Sequence, residues 1–301
     1  MGLHGVWGPP IAWYLFLAGT GAGAYLVAAI AGFLNERYRV LIKPGVLLGA
    51  PLVAIGCLLL LIDLGVPARF MLTFMQPHTS MMSVGVIIIS AFIVLSGIHW
   101  VLTLVKKGSP TFIKVLSVIA GVFAVGTAAY TGCLLALVQA IPFWHQPLLP
   151  VLFVLSAFST GIGAVLLTLG IARAVKPEAM NEENLRASAH GLGAVDLPII
   201  AAELIVLFSM MFIMGSTNTV ASQSVAFILY GDYAVAFWLG IIIVGLIVPG
   251  VLEILSLTAW KEKAAAQTLN LGILTGACLL IGGIILRFAV VSAGMNIAVL
   301  M

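Results

Sequence analysis

The sequence predicts an all-α, polytopic membrane protein, and three observations support this prediction. Of its 301 residues, 62% are hydrophobic and 8% are charged, whereas soluble domains are about half apolar and about a quarter charged. The apolar residues form runs of about 20, the length of a helix that crosses a hydrocarbon core about 30 Å thick. The strands of a membrane barrel are about half as long and alternate in polarity, so helices are expected.

We predict eight transmembrane helices joined by connections that carry most of the charged residues. The first apolar run follows MGLHGVWGPP, which lacks the basic stretch of a signal peptide, so the first helix is expected to be retained. The approximate bounds of the predicted helices are 11–34, 45–65, 81–105, 114–140, 148–173, 196–216, 234–259 and 269–291.

Basic residues gather in the connections that follow the first, third, fifth and seventh predicted helices. The other connections and both termini contain a single basic residue, Arg69. Because basic residues favour the cytoplasmic side of a membrane, both termini and the turn around Pro142 are predicted to face outward. The basic residues of the four connections are Arg37, Arg39, Lys43, Lys106, Lys107, Arg173, Lys176, Arg186, Lys261 and Lys263.

A short motif occurs twice. Thr20-Gly-Ala-Gly-Ala24 in the first helix is echoed by Thr160-Gly-Ile-Gly-Ala164 in the fifth. Each copy is followed by three more predicted helices, which suggests two four-helix bundles, 1–145 and 146–301, related by a parallel repeat. Small residues at such spacing let helices approach closely, so we interpret these glycines as packing residues. No strand precedes them, so a nucleotide-binding loop is not expected.

The sequence offers no metal site. Cys57, Cys133 and Cys278 each lie alone in an apolar run, so we interpret them as buried thiols and not as ligands of zinc or of an iron–sulfur cluster. A transmembrane haem held by two histidines is not expected, because only His99 lies well inside a predicted helix. Any electrons must therefore pass to or from another subunit. No nucleic-acid partner is expected.

Polar side chains in and around the apolar helices form two groups by depth. An ionisable group that faces lipid costs a few kcal/mol, so these groups are expected to face the bundle interior, a cavity or a partner. Near or at the outer face lie Asp63, Tyr130, Arg287, His4, His78, Trp144 and His145. Deeper or nearer the cytoplasm lie His99, Glu253 and, at the start of the sixth helix, Asp196 and Glu203.

Structural roles are open for several of these residues. Asp63 can pair with Arg69 and end the second helix, and Trp144 is expected to be an interfacial anchor. Arg287 can extend its side chain to the outer headgroups. The carboxylates within helices are instead candidates for a proton relay, because such groups are costly in a membrane and are usually functional.

The outer group suits a quinone. A tyrosine, a histidine and an arginine supply hydrogen-bond donors for two carbonyl oxygens, and aromatic and apolar side chains supply walls for the ring and its tail. A neighbouring carboxylate or histidine can exchange the two protons that accompany two electrons.

These motifs resemble the NrfD/PsrC family, the membrane subunits of polysulfide reductase-like and related respiratory complexes, over essentially the whole chain. The motifs that carry the resemblance are Ile11-Ala-Trp-Tyr-Leu-Phe-Leu-Ala-Gly19, Asp63-Leu-Gly-Val-Pro-Ala-Arg-Phe70, Thr79-Ser-Met-Met-Ser83, Tyr130-Thr-Gly-Cys-Leu-Leu135, Pro142-Phe-Trp144, Leu148-Leu-Pro150, Ser156-Ala-Phe-Ser-Thr-Gly161, Glu203 and Gly282-Gly-Ile-Ile-Leu-Arg287.

The resemblance implies a subunit of a respiratory oxidoreductase in the plasma (inner) membrane of a bacterium or archaeon. Such a subunit has eight helices and no haem, and it binds menaquinone or ubiquinone near the outer face. Its implied partners on that face are a ferredoxin-like iron–sulfur subunit, with which it exchanges electrons, and a catalytic subunit that often contains molybdopterin.

The resemblance also assigns site residues. The tyrosine of the Tyr-Thr-Gly motif lies at the quinone in the family, and this role is carried to Tyr130. A histidine before the first helix corresponds to His4, and the aspartate of the Asp-Leu-Gly motif to Asp63. The expected quinone-site residues are Tyr130, His4, Asp63, His78 and Arg287. The expected proton-transfer residues are Glu203, Glu253, His99 and Asp196.

Two other functions stay open at this point. A secondary transporter also suits two similar four-helix halves, but it predicts helices broken near the membrane midplane, whereas the prolines cluster at predicted helix ends. A structural anchor that recruits a redox partner and binds no quinone needs the outer turns, but it does not need Tyr130 inside the bilayer.

Overall fold

The computed structural model describes residues 8–63, 81–175, 181–217, 219–258 and 265–298, and all regular structure in these ranges is helical. Within these described ranges, eight helices are long and apolar enough to cross a membrane when the π-helix and the α-helix after it are counted as one, which confirms the predicted fold class. The helices are α1 (Pro9–Ala31), α2 (Ile42–Asp63), α3 (Met81–Val105), α4 (Pro110–Ala136), α5 (Leu148–Val175), α6 (Glu182–Thr217), α7 (Thr219–Leu229), α8 (Val248–Thr258) and α9 (Ala265–Ala298), with a 3-10 helix at Glu36–Leu41 and a π-helix at Ala236–Ile247 that continues into α8.

Helix α6 begins at Glu182, about four turns before the predicted start. The side-chain oxygen of Asn181 accepts a hydrogen bond from the amide of Glu183 at 2.9 Å and so caps the helix. The first four turns of α6 are too polar to be recognised as a membrane span, which is why the sequence pattern missed them. Asp196 and Glu203 therefore lie in the helix interior, and the prediction that they mark its start is wrong.

The sequence pattern also missed α7 and the π-helix. The π-helix extends over 12 residues, whereas most π-helices are single turns inserted in α-helices and are frequent at functional sites. The mean hydropathy of a segment does not distinguish a π-helix from an α-helix, because it depends on composition and not on the hydrogen-bond register. Gly245 of this segment packs closely on α9, since a Cβ on it would lie 2.7 Å from the Cα of Gly282.

Prolines also lie inside membrane-spanning helices. Pro51 lies within α2, Pro198 within α6, and Pro249 where the π-helix passes into α8, so the prediction that the prolines cluster at helix ends is wrong for these three. The helix continues through each of these prolines, whereas a transporter site requires broken helices.

Helix α1 lies at the centre of the molecule. In its most apolar 18-residue window 89% of the residues are buried, against 33% in the corresponding window of the second span. A Cβ on Gly23 would lie 1.9 Å from the carbonyl oxygen of Ala157 in α5, and a Cβ on Gly161 would lie 2.4 Å from the amide nitrogen of Ala24. The two copies of the repeated motif thus pack against each other, which confirms their interpretation as packing residues. The division into two four-helix bundles stays a prediction.

The turn between α4 and α5 packs against the last turns of α9. Trp144 in this turn is fully buried, and its indole N–H donates a hydrogen bond to the Val290 carbonyl at 2.7 Å. Helix α7 reaches the same region, where the Ser224 hydroxyl donates to the Ala293 carbonyl at 3.0 Å. We call this the hairpin end. Trp144 is not the interfacial anchor that was expected, because its polar N–H is satisfied inside the protein.

The start of α6 and the connection after α1 meet at the opposite end. The Ser188 hydroxyl donates to the Arg37 carbonyl at 3.1 Å, and the Tyr38 ring packs against Gly191. We call this the basic end, because the connection after α1, which contains Arg37 and Arg39, lies there. Helices α1 and α6 are thereby joined at the basic end, while α5 and α9 are joined to the turn at the hairpin end.

Candidate functional site

Tyr130 lies in the half of α4 nearest the hairpin end, and a glycine determines where its ring sits. The side chain is 9% exposed. A Cβ on Gly85 of α3 would lie 1.8 Å from the ring carbon Cζ of Tyr130, so only glycine admits the ring at this position. The phenol donates to the Met82 carbonyl at 3.5 Å, which is long for an O–H···O hydrogen bond. The hydroxyl can therefore form a shorter and stronger hydrogen bond with another acceptor.

Three further side chains surround Tyr130. Tyr14 of α1 is almost completely buried. Tyr14 and Cys57 of α2 lie close to Tyr130, as does Cys133, less than one turn away on α4. Sequence reasoning missed Tyr14, although a tyrosine within an apolar run was a signal that could have identified it. The surroundings of Tyr130 are thus aromatic, thiol and apolar groups.

Three other residues expected near Tyr130 are not placed by the structure. His4 and His78 lie outside the described residues. Asp63 is the last residue of α2, and its side chain also lies outside the described set. Their grouping with Tyr130 stays a prediction.

Arg287 lies among α1, α5, α6 and α9 and not beside Tyr130. It is fully buried and about three turns before the end of α9, so it does not extend to the headgroups as one expectation had it. Its Nη1 donates to the Ser156 hydroxyl and, at 3.0 Å, to the Gly283 carbonyl. The guanidinium carbon lies 5.2 Å from the centre of the Phe153 ring, and Nη2 faces Gly19 of α1.

Glu203 of α6 shares the surroundings of Arg287. Both side chains are buried, their opposite charges interact, and Glu203 lies close to the Ser156 hydroxyl. Glu203 also lines a small cavity. The volume within it that the centre of a water molecule can occupy is about 10 Å³. The remaining lining residues are Ser156, Ser159, Thr160, Ile241, Gly245, Leu246, Leu279, Gly282 and Gly283.

Asp196 and Glu253 form a buried carboxyl pair next to Ser159, which lines the cavity. The Ser159 hydroxyl donates to Asp196 Oδ2 at 3.2 Å. The two carboxyl groups interact with each other, and a Cβ on Gly193, one turn before Asp196, would lie 3.5 Å from Glu253 Cγ. Apart from their contact with each other, Asp196 Oδ1 and both carboxyl oxygens of Glu253 have no hydrogen-bond partner among the residues that the structure describes.

His99 belongs to a different cluster. Its Nδ1 lies 2.9 Å from the hydroxyl of Tyr25 in α1, and both side chains are buried. Ser117 of α4 lies near the same tyrosine. These residues lie among α1, α3 and α4, whereas the carboxyl groups lie among α5, α6 and α8. The structure thus brings together Arg287, Glu203, Asp196 and Glu253, and it separates His99 and Tyr130 from them.

The arrangement suits proton chemistry more than metal chemistry. In the described part of the chain, no group of three or more histidine, cysteine, aspartate or glutamate side chains is placed to hold a metal ion. The cluster contains three carboxyl groups and one guanidinium, and burying unbalanced charges in a membrane is costly. Buried carboxyl groups next to hydroxyl groups can take up and pass on protons.

Comparison with known proteins identifies relatives over nearly the whole length. The family model described as "Polysulphide reductase, NrfD" matches residues 1–299. The protein is 33% identical to the C subunit of polysulfide reductase from Wolinella succinogenes, over 96% of its own length and 94% of that subunit. It is 30% identical to protein NrfD of Escherichia coli, over 96% of its own length and 95% of that protein.

A more distant relative is an archaeal protein. The sequence is 26% identical to the Hdr-like menaquinol oxidoreductase integral membrane subunit of Archaeoglobus fulgidus, over 56% of its own length and 44% of that protein.

Proposed function

The chain belongs to the polysulphide reductase NrfD family, and from this premise we propose that it is the quinone-reactive membrane subunit of a respiratory oxidoreductase complex. The proposal includes a plasma-membrane location with the hairpin end facing outward. It takes the quinone to be menaquinone or ubiquinone.

The buried phenol of Tyr130 is the observation that carries the proposal. A quinone ring needs a hydrogen-bond donor at a carbonyl oxygen and apolar walls for its tail. Among the described residues, the only hydrogen-bond contact of the Tyr130 hydroxyl is a long one to a backbone carbonyl, and aromatic and apolar side chains surround it. The name of the archaeal relative, a menaquinol oxidoreductase subunit, supports the same substrate class.

Oxidation of a quinol releases two electrons and two protons. Tyr130 would orient the ring by donating its phenol hydrogen to a ring oxygen, and the half-buried Cys57 and buried Tyr14 would exclude water from that side. The sequence contains no cluster of metal ligands for the electrons. We therefore propose an iron–sulfur partner at the hairpin end, which connects to a catalytic, molybdopterin-containing subunit. His4, Asp63 and His78 stay candidates for the same site.

Proton transfer through the membrane is a second part of the proposal. The group that contains Arg287, Glu203, Asp196 and Glu253 is buried among helices that cross the membrane, and such groups are typical of proton relays. The separate location of His99 supports a different role for that residue, in the contact between α1 and α3. Arg287 is better supported as part of the relay than as a quinone ligand.

Replacement of Tyr130 tests the quinone site. In the assembled complex, Tyr130→Phe removes only the hydroxyl, and we expect quinol-linked turnover to fall at least about tenfold because an orienting donor is lost. Turnover is measured with a soluble quinol analogue, and assembly is measured by co-purification of the partner subunits. Tyr230→Phe is the matched control, because Tyr230 is 82% exposed.

The result also separates the alternatives. A fall in turnover with normal assembly supports the quinone site. Unchanged turnover in Tyr130→Phe, with the partner subunits bound, contradicts it and favours a structural anchor.

A further inference from the structure

Two rows of polar side chains face each other between α5 and α6. Asp196 and Glu203 lie two turns apart on one face of α6, which is about 10 Å along the helix axis. Ser156 and Ser159 lie one turn apart on α5, where Ser156 is close to Glu203 and Ser159 is bonded to Asp196. Each hydroxyl therefore serves one carboxyl group. The two hydroxyls are one turn apart, whereas the two carboxyl groups are two turns apart.

The cavity lies in the gap between these pairs. It touches Ser156 and Glu203 of one pair and Ser159 of the other. A water molecule needs about 10–15 Å³ of space for its centre and two to four polar partners, and the cavity offers about 10 Å³. Its lining also includes backbone of the closely packed Gly245 and Gly282.

The polar side chains that line the cavity are those of Ser156, Ser159, Thr160 and Glu203. Their neighbours outside the cavity include buried polar atoms that the protein does not fully satisfy: among the described residues, Nε and Nη2 of Arg287, which bonds Ser156 through Nη1, have no hydrogen-bond partner. Buried polar atoms nearly always have partners, and ordered water supplies those that the protein does not. The polar lining of the cavity therefore suits a bound water molecule.

We infer that one ordered water molecule occupies the cavity and joins Glu203 to Ser159, so that the two carboxyl groups of α6 belong to one hydrogen-bonded chain. This inference rests on the proposed function and specifies its proton route. The chain runs from the Asp196–Glu253 pair through Ser159 and the water to Glu203 beside Arg287.

Proton passage along this chain conserves atoms and charge. At each step one O–H bond breaks and another forms, so a proton enters at the Asp196–Glu253 pair and a different proton leaves at Glu203. One positive charge moves toward the hairpin end and no electron is transferred. Without the water, Ser159 and Glu203 have no shared partner, and the chain is interrupted by a gap that a proton does not cross directly.

A density map of the purified complex tests the water directly. The map is recorded by electron cryo-microscopy at a resolution where ordered waters elsewhere in the protein are visible. We expect one non-protein density within hydrogen-bond distance of Ser159 Oγ and a carboxyl oxygen of Glu203. A cavity without density in such a map overturns the inference.

Two variants test the role of the water. Leu246→Phe fills the cavity from its apolar wall, and Ser159→Ala removes the link to Asp196. In proteoliposomes we expect either change to lower protonophore-sensitive charge movement per electron at least about tenfold. Thr168→Val is the matched control, because Thr168 lies on the same helix and donates only to the Ala164 carbonyl.

Quinol-linked electron transfer, measured with protonophore present, is expected to stay at the control level in both variants. Full charge movement in Leu246→Phe, with the cavity filled in its map, contradicts the inference and leaves the quinone site standing. If wild-type complex turns over quinol without protonophore-sensitive charge movement, the relay is wrong while the quinone proposal survives. Loss of quinol turnover in Tyr130→Phe is independent of both results.

Discussion

At the scale of single residues, Gly85 sets the position of the Tyr130 ring. The ring occupies the space in which any other side chain at position 85 would begin. Glycine costs a helix about 1 kcal/mol relative to alanine, so the position of this glycine within α3 is unfavourable for the helix itself. Its effect is to let the aromatic ring of α4 lie directly on the backbone of α3.

We predict that Gly85→Ala disables the quinone site while leaving the fold intact. The new methyl group displaces the Tyr130 ring, since α3 contacts it through backbone. Quinol-linked turnover is expected to fall about as much as in Tyr130→Phe, at least about tenfold. The measurement is turnover of the assembled complex, with co-purification of the partner subunits as the check on assembly.

Gly97→Ala is the control within the same helix. A Cβ on Gly97 meets no atom of the described residues within 4 Å, so this variant is expected to keep full turnover and to stabilise α3 slightly. Equal turnover in the Gly85 and Gly97 variants would show that the ring position of Tyr130, which Gly85 allows, does not affect quinone chemistry.

The residues of the site were predictable from sequence where they contrast with their surroundings. Tyr130, Glu203 and Glu253 are polar residues in apolar runs, and that contrast identified them. Gly85 has no such contrast, because glycine is common in membrane helices. The sequence also indicates depth but not the direction in which a helix face points, so the location of Arg287 away from Tyr130 was not predictable.

At the scale of helices, the crossing of α1 and α5 depends on small residues. Gly23 of α1 lies against the backbone of Ala157, and Gly161 of α5 lies against Gly23 and Ala24. Close approach of this kind maximises van der Waals contact, which drives helix association in a membrane.

We predict that Gly23→Ala destabilises the protein by about 1–3 kcal/mol, the cost of overpacking a filled interior. The added methyl group meets a carbonyl oxygen of the opposing backbone, which cannot rotate away. The measurement is the midpoint of thermal unfolding of the purified protein in detergent. Gly121→Ala is the control, because its Cβ meets only side-chain carbon atoms at 3.8 Å or more. Equal midpoints for the two variants contradict the prediction.

Helices were predictable where hydropathy determines them. The third and fifth predicted spans begin at the observed residues of α3 and α5, and their ends are nearly correct. The first turns of α6 were missed because their polar residues are stabilised by contacts at the basic end, such as that of Ser188. The π-helix was missed because the hydropathy of a segment does not depend on its backbone hydrogen-bond register.

At the scale of the whole molecule, the basic connections predict which end faces the cytoplasm. Lys107 follows α3 and Gln139 lies in the turn after α4, and both side chains are exposed. Lys107→Cys and Gln139→Cys therefore place single reactive thiols at opposite ends, in a background where Cys57, Cys133 and Cys278 are replaced by alanine.

We predict that a membrane-impermeant maleimide labels Gln139→Cys in spheroplasts and labels Lys107→Cys only after the membrane is permeabilised. The measurement is the mass shift of the labelled protein on a gel. Labelling in the reverse order would place the hairpin end in the cytoplasm, and the proposed position of the iron–sulfur partner would then be wrong.

The central position of α1 has a consequence for biogenesis. This helix precedes α5 and α9, which pack against it, in the chain and is therefore synthesised before them. Until they insert, the face of α1 that carries Gly19 and Gly23 lacks the helices against which it packs. The nascent polypeptide therefore carries an incomplete surface through most of its synthesis, a state in which proteins are vulnerable to misassembly and to quality-control proteases. The packing of α1 is complete only when α9 has inserted.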